Sequence, residues 1–173
     1  QEGRIEGRHV LREQRLRVLY VLGMAFTADE DYKNALHHLD EAILLAGQLG
    51  DDDALVELYY LRCAINGCIG GFESASDDYR AGLASLRKYT PDGPSQDPSM
   101  EITLLAGAAG FDYYLGRFEL ATEQLDSAQQ VSQYVPRNSL EAANIYWIRS
   151  HLLRSQGKLD EALLYAKLGA DIY

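Results

Sequence analysis

The sequence predicts an all-α protein, arranged as a solenoid of four antiparallel helix pairs. Three observations predict this fold. Strand signals are missing, because no stretch alternates β-branched residues between turn pairs. Seven short breaks divide the 173 residues into eight segments of helical length. One residue pattern occurs four times along the chain, which is typical of a helical repeat array.

The breaks carry the stop and start signals of helices. They lie at 28–31, 50–53, 70–71, 90–98, 116, 136–138 and 157. Gly50 can end a helix in the left-handed conformation, and an Asp after it can cap the next helix. Asp97 before Pro98 suits a cap followed by proline in the first turn. Asn138, with Glu141 three residues later, predicts a capping box.

The repeated pattern fixes the number of pairs. Each copy has a large residue, an alanine three residues later, a filler four residues further on and then a small residue. The copies are Tyr32/Ala35/Leu39/Ala42, Phe72/Ala75/Tyr79/Gly82, Phe118/Ala121/Leu125/Ala128 and Leu159/Ala162/Ala166/Gly169. A glycine lies two residues before the large residue in three copies, and Glu30 takes that place in the first. Small residues at this spacing let helix axes approach, and pairs stack because one pair cannot bury its apolar face alone.

This pattern resembles the tetratricopeptide repeat over nearly all of residues 10–173. The segment Leu22-Gly23-x-x-Phe26 is similar to the end of that family's first helix. The repeat alanines Ala35, Ala75, Ala121 and Ala162 are 40, 46 and 41 residues apart, against about 34 in the usual repeat. This period resembles kinesin light chains and the sensor arms of MalT-like bacterial regulators, and residues 35–51 look especially like the bacterial type. The resemblance implies a right-handed solenoid whose first helices line a concave, partner-binding groove.

The chain divides accordingly. Residues 1–8, which include Ile5-Glu6-Gly7-Arg8, read as a protease-cleavage linker outside the fold. The predicted units are repeat 1 (9–50), repeat 2 (51–89), a proline-rich loop (90–98), repeat 3 (99–135) and repeat 4 (136–173). We expect the array to be truncated at its C-terminus, because no polar capping helix follows Leu163, Leu164 and Leu168. Further chain or a second copy would then cover those leucines.

The amino-acid composition limits the classes of function that we expect of this chain. Sixteen Lys and Arg against 26 Asp and Glu give a net charge of −10. Direct nucleic-acid binding needs cations on phosphates, so it is not expected, whereas a basic partner is compatible. No apolar run is long enough for a membrane span. Cys63 and Cys68 would point apart on a helix and form no disulfide framework, which favours a reducing, cytoplasmic setting.

Catalytic signals are weak, and we expect a non-enzymatic protein without cofactor or metal. The sequence has no nucleophile elbow, phosphate loop or HExxH motif. His37 and Glu41, one helical turn apart, suggest either two metal ligands or a solvated face, and the solvated face is favoured. The cysteines are either reactive thiols or packing residues. The small residues 107–110 indicate close helix packing or a narrow ligand pocket.

The first helices supply the candidate partner-binding residues. Counting back from the repeat alanines, we infer one extra residue in the inter-helix turns of repeats 2 and 3. The predicted groove is then lined by Tyr20, Met24, Tyr59, Asn66, Asp112, Tyr113, Trp147, His151 and Arg154. Aromatic residues and arginine dominate interface energetics, although some of these aromatics can equally belong to the core. Arg154 could hold a carboxylate, with His151 beside it as a pH-sensitive donor.

The leading hypothesis is an interaction module, part of a larger regulatory protein, that binds a peptide or protein segment in this groove. Arg154, Asn66 and Asp112 would orient the bound segment. Two alternatives remain open: a small-molecule sensor arm with its pocket near residues 107–110, and a scaffold that forms homo-oligomers through its ends. The acidic chaperone-tail clamp of some relatives needs Lys and Asn on successive first helices, which Tyr20/Met24 and Tyr59/Cys63 do not supply.

Overall fold

The computed structural model describes the backbone of residues 2–90 and 93–172, with side chains from residue 9 onward. Every regular element in these ranges is helical, which confirms the predicted all-α class. The elements are α1 (Glu2–Ala28), α2 (Tyr32–Leu49), α3 (Asp52–Cys68), α4 (Phe72–Leu86), α5 (Pro98–Tyr114), α6 (Phe118–Val131), a 3-10 turn (Ser132–Tyr134), α7 (Leu140–Ser155) and α8 (Leu159–Ala170). The backbone is helical from Glu2 onward, and the interpretation of residues 1–8 as a cleavage linker stays a prediction.

The helix boundaries follow the predicted signals, with one correction. Gly50 ends α2 at φ 70°, and the Asp51 carboxylate accepts the amide of Ala54 at 3.0 Å. The Asp97 carboxylate caps α5 in the same way, immediately before Pro98.

The predicted capping box at the start of α7 is wrong by one residue. The cap is Ser139, whose hydroxyl accepts the amide of Ala142 at 3.2 Å. Glu141 accepts a hydrogen bond from the hydroxyl of Ser99 on α5. A serine competes well with asparagine at this position, and the distant Ser99 gives Glu141 a different partner.

Each helix packs against the next helix in the chain, and α5 also contacts α7. Two clusters of buried side chains result. One lies among α1, α2 and α3 around Leu39, and the other lies among α5, α6 and α7 around Leu125. The repeat alanines Ala35, Ala75 and Ala121 are completely buried and Ala162 nearly so, as the pattern predicts. No helix among the described residues has the length and apolar character that a bilayer span requires.

The four turns that join α1–α2, α3–α4, α5–α6 and α7–α8 have the same hydrogen bonds. The amides of Asp31, Gly71, Arg117 and Lys158 donate to the carbonyls of Phe26, Asn66, Asp112 and Leu153 at 2.8–3.0 Å. The residues before those amides, Glu30, Gly70, Gly116 and Gly157, have φ between 58° and 79°. This pattern closes a helix through one left-handed residue. The turns are therefore equal in length, and the inferred extra residue in repeats 2 and 3 is wrong.

Candidate functional site

The equal turns set the register of the first helices. Position −15 lies 15 residues before the repeat alanine and holds Tyr20, Tyr60, Ala106 and Trp147. Position −11 holds Met24, Ala64, Gly110 and His151, and position −8 holds Thr27, Gly67, Tyr113 and Arg154. Six of the predicted groove residues lie in these rows. Tyr59, Asn66 and Asp112 lie one residue away from them.

The −15 row carries aromatic side chains on three first helices, and we call Tyr20, Tyr60 and Trp147 the aromatic row. Trp147 is 52% exposed and Tyr60 is 40% exposed, whereas Tyr20 is half-buried. Ala106 interrupts the row on α5, where it is completely buried. Tyr60 was missed by the sequence reasoning. The constant five-residue distance from each turn glycine to its repeat alanine was the signal that would have found it.

The three residues off the rows have packing roles. The Tyr59 ring is half-buried, with the guanidinium carbon of Arg62 5.5 Å from its centroid. Asn66 is buried and donates from Nδ2 to Asp78 at 2.9 Å. Asp112 has no solvent exposure. Asp112 is therefore out of reach of a bound segment, whereas Asn66 lines an open cleft beside Asp40 and Arg62.

Buried carboxylates hold neighbouring helices together beneath the rows. Asp78 in α4 accepts from Nε of Arg62 at 3.1 Å as well as from Asn66. The Arg62 guanidinium also reaches Asp40 in α2, so it joins three helices. Buried charges need such partners, because an unpaired one is strongly disfavoured.

A third buried carboxylate anchors the loop before α5. Glu101 accepts from Nε of Arg87 and from the amide of Ser95, both at 2.6 Å. The loop after residue 92 is thereby tied to both α4 and α5. Each of the three buried acids is thus paired with an arginine.

The predicted residues Trp147, His151 and Arg154 line a cleft of about 440 Å³ between α7 and α8. The rings of Trp147 and His151 meet edge to face with centroids 4.7 Å apart. Nη2 of Arg154 lies 3.2 Å from Nδ1 of His151. Partial burial and the charge of Arg154 lower the pKa of His151, so the ring is neutral near pH 7 and its Nδ1 accepts from Arg154.

Tyr20 lines a second cleft, of about 470 Å³, between α1 and α3. Arg17 and Glu57 provide opposite charges on its walls, and Leu16 and Leu58 form part of its floor. Burial is the main cause that raises the pKa of the Tyr20 hydroxyl, and the charge of Glu57 raises it further. Tyr20 therefore stays protonated, with its hydroxyl a donor in the cleft.

The small residues at 107–110 serve helix packing. A β-carbon on Gly107 would lie 2.6 Å from Cε1 of Tyr79, whose ring lies between α4 and α5. A β-carbon on Gly110 would meet Ile148 of α7 at 3.7 Å. The Tyr79 ring thus occupies the space that the sensor-arm alternative assigned to a ligand at Gly107.

The structure also shows where the two cysteines and the His37/Glu41 pair lie. Cys63 is buried and Cys68 is exposed, and both thiols are free. Burial raises the pKa of the Cys63 thiol to about 12, which suits a packing residue. His37 and Glu41 lie on the exposed surface with 3.9 Å between Nε2 and Oε1. Within residues 9–90 and 93–172, no three His, Cys, Asp or Glu side chains converge as a metal-binding group.

The comparisons with known proteins show a shared fold only. Neither a protein-family model nor a curated protein matches the sequence. Among solved structures, the crystal structure of BtubC (BKLC) from P. vanneervenii matches with a TM-score of 0.74 and 21% identity over 89% of this chain. This chain spans 60% of the length of BtubC. At this identity the similarity concerns the helical fold and not the function.

Proposed function

We propose that this chain is a tetratricopeptide-like, right-handed solenoid of four helix pairs that acts as a non-enzymatic protein-binding module. Four turns with the same hydrogen bonds, each followed by a buried repeat alanine, support the repeat assignment. The period of 40 residues or more favours the long-period subgroup that includes MalT-like sensor arms. A position within a larger cytoplasmic regulatory protein follows from that resemblance.

The observation that carries the proposed function is the aromatic row. Tyr20, Tyr60 and Trp147 occupy the same repeat position on three first helices, and two of them are well exposed. Large aromatic side chains supply rigid contact area and are the commonest energetic anchors of interfaces. Met24 beside the row is 47% exposed and adds an adaptable apolar contact. A peptide or protein segment lying across the first helices would meet these anchors in turn.

The decisive experiment compares two double variants of the full chain. Tyr60→Ala/Trp147→Ala removes the exposed part of the aromatic row. Tyr89→Ala/Tyr134→Ala is the matched control, because both tyrosines are more than half exposed but lie outside the first helices. Proteins captured from the source organism are identified by mass spectrometry, and their affinities for each variant are measured by calorimetry.

The proposal expects a discrete partner whose Kd rises at least tenfold for the row variant and stays within twofold for the control. Equal affinities for the parent and the row variant would refute it. Circular dichroism verifies that both variants remain helical, which separates lost binding from lost folding.

A further inference from the structure

The cleft between α1 and α3 combines an apolar floor with charged walls. Leu16 and Leu58 are both buried and form part of the floor, and the small Ala54 lies beside them. The half-buried Tyr20 ring lines the α1 side of the cleft. The volume of about 470 Å³ is in the range of clefts that hold ligands, so a long side chain of a bound segment has room to enter.

The cleft is open because of its own residues, as the junction between α5 and α7 shows. There, Ser99 donates a hydrogen bond to Glu141 and links the two neighbouring first helices. Ser99 occupies position −22 and Glu141 occupies position −21 relative to their repeat alanines. The same two positions hold Glu13 and Ala54 in the junction between α1 and α3. Ala54 has no polar side-chain atom, so the side chains at these positions cannot close the first junction by a hydrogen bond.

The charged side chains that line the walls are three carboxylates and one guanidinium: Glu13, Asp51, Glu57 and Arg17. The Asp51 carboxylate caps α3, because it accepts the amide of Ala54 at 3.0 Å. Oε1 of Glu13 lies 3.2 Å from Nδ1 of His9. Glu57 is exposed, and none of the ion pairs within residues 9–90 and 93–172 includes it. Glu57 is therefore the carboxylate with which a ligand can pair.

We infer that this cleft binds an arginine side chain of the segment that occupies the groove, an assignment that rests on the proposed protein-binding role. The methylene groups of the arginine would pack on Leu16 and Leu58, because long basic side chains bury their stems on apolar surface. The guanidinium would stack on the Tyr20 ring and donate two hydrogen bonds to Glu57. Carboxylates outnumber Arg17 by three to one in the cleft, so charge favours an arginine over a neutral or an acidic side chain.

The probe is a blocked pentapeptide, acetyl-Ala-Gly-Arg-Gly-Ala-amide. Its matched control replaces the arginine with citrulline, an uncharged analogue of nearly the same shape. Methyl NMR of the full chain reports binding at the site itself, because four residues with methyl groups line the cleft: Leu16, Val21, Ala54 and Leu58. Glu57→Gln removes the charge of the carboxylate at almost constant size. Glu123→Gln makes the same change at an exposed position of α6 and is the control variant.

The arginine peptide should shift these methyl signals saturably with a Kd of about 1 mM, and the citrulline peptide should bind about fivefold more weakly. Glu57→Gln should weaken binding of the arginine peptide by about the same factor and leave binding of the citrulline peptide unchanged, because the charge contact needs both groups. In Glu123→Gln, the Kd of the arginine peptide should stay within about twofold of the parent value.

Failure of this inference is distinguishable from failure of the proposed groove. Tyr60→Ala/Trp147→Ala should bind the arginine peptide as the parent does, because neither residue lines this cleft. A partner that ignores the aromatic row would refute the proposed groove, whereas the peptide measurement in the cleft would keep its meaning.

Four results would overturn the inference. The first is the absence of a saturable methyl shift up to about 20 mM peptide. The second is equal affinity for the arginine and citrulline peptides. The third is unchanged binding of the arginine peptide to Glu57→Gln. The fourth is tighter binding of the peptide that carries glutamate in place of arginine, which would assign the cleft to an acidic side chain held by Arg17.

Discussion

Nη2 of Arg80 lies 2.9 and 2.8 Å from the two carboxylate oxygens of Asp112, and this pair joins α4 to α5 across a repeat boundary. Asp112 is completely buried, and Ser76 and Arg117 complete its partners. A buried carboxylate needs such partners, because nothing else compensates for the hydration that it loses on burial. The pair is therefore a structural joint, although its aspartate had been predicted to line a binding groove.

Replacing Arg80 should destabilise the protein far more than removing an exposed arginine. Arg80→Ala leaves the buried Asp112 with Ser76 and Arg117 only, and we expect a loss of about 3 kcal/mol in the free energy of unfolding. Arg15→Ala, which breaks the exposed pair with Glu41, should cost about 0.5 kcal/mol or less. Urea unfolding followed by circular dichroism measures both. Equal losses in the free energy of unfolding of the two variants would contradict a structural role for the Arg80–Asp112 pair.

Adding one methyl group at Gly107 should destabilise the boundary between α4 and α5. The Tyr79 ring leaves no room for a β-carbon there, and Phe111 and Tyr60 hold the ring from two sides. We expect Gly107→Ala to cost about 1–3 kcal/mol through overpacking. Thermal unfolding of the full chain provides the measurement.

Gly47→Ala is the matched control for that substitution. A β-carbon at Gly47 in α2 meets nothing within 4 Å, so the variant should gain about 0.5–1 kcal/mol from the lower helix propensity of glycine. In Gly107→Ala/Tyr79→Leu, the smaller side chain should recover part of the loss. Stabilisation by Gly107→Ala alone would show that the ring moves freely.

Glu30 is the one non-glycine residue among the four left-handed turn positions, at φ 58°. A left-handed backbone conformation costs about 1–2 kcal/mol for residues with a β-carbon. Substitution by glycine removes this cost, but the greater freedom of glycine in the unfolded chain offsets part of the gain in stability. We expect Glu30→Gly to stabilise the chain by about 0.5–1 kcal/mol. Gly116→Ala should have the opposite effect, and a rise in melting temperature for Gly116→Ala would be incompatible with the turn geometry.

Local sequence signals predicted the helices well, because they act within a few residues. The breaks and the repeat alanines depend on backbone conformation and on the size of one side chain. All seven breaks separate helices, and the left-handed conformation of Gly50 is confirmed.

The predicted register of the groove residues is wrong in repeats 2 and 3. There, contacts with residues that are distant in the chain determine which side chains are buried. Asn66 and Asp112 occupy position −9, where the other repeats have the apolar residues Phe26 and Leu153. A search for an apolar residue therefore moved one place upstream, to Ile65 and Phe111. Asn66 and Asp112 are buried with polar partners on α4, Asp78 and Arg80, which are 12 and 32 residues away in the chain.

The Cys63 thiol should make stability fall at high pH. Burial raises its pKa to about 12, against about 8.5 in an unfolded chain. The unfolded state therefore loses its proton first. The contribution of Cys63 is complete below about pH 8.5 and decreases as the pH rises toward the folded value. Between pH 8 and pH 10 the loss should reach about 2 kcal/mol.

The variant Cys63→Ala isolates this effect, because both proteins share all their tyrosines and lysines. Urea unfolding of both at pH 8, 9 and 10 should show a steeper decline in the parent. Native chains should also react with a thiol reagent at the exposed Cys68 alone and at both cysteines after unfolding. Parallel pH profiles, or two reactive thiols in the native state, would show that Cys63 is accessible to solvent and would contradict its packing role.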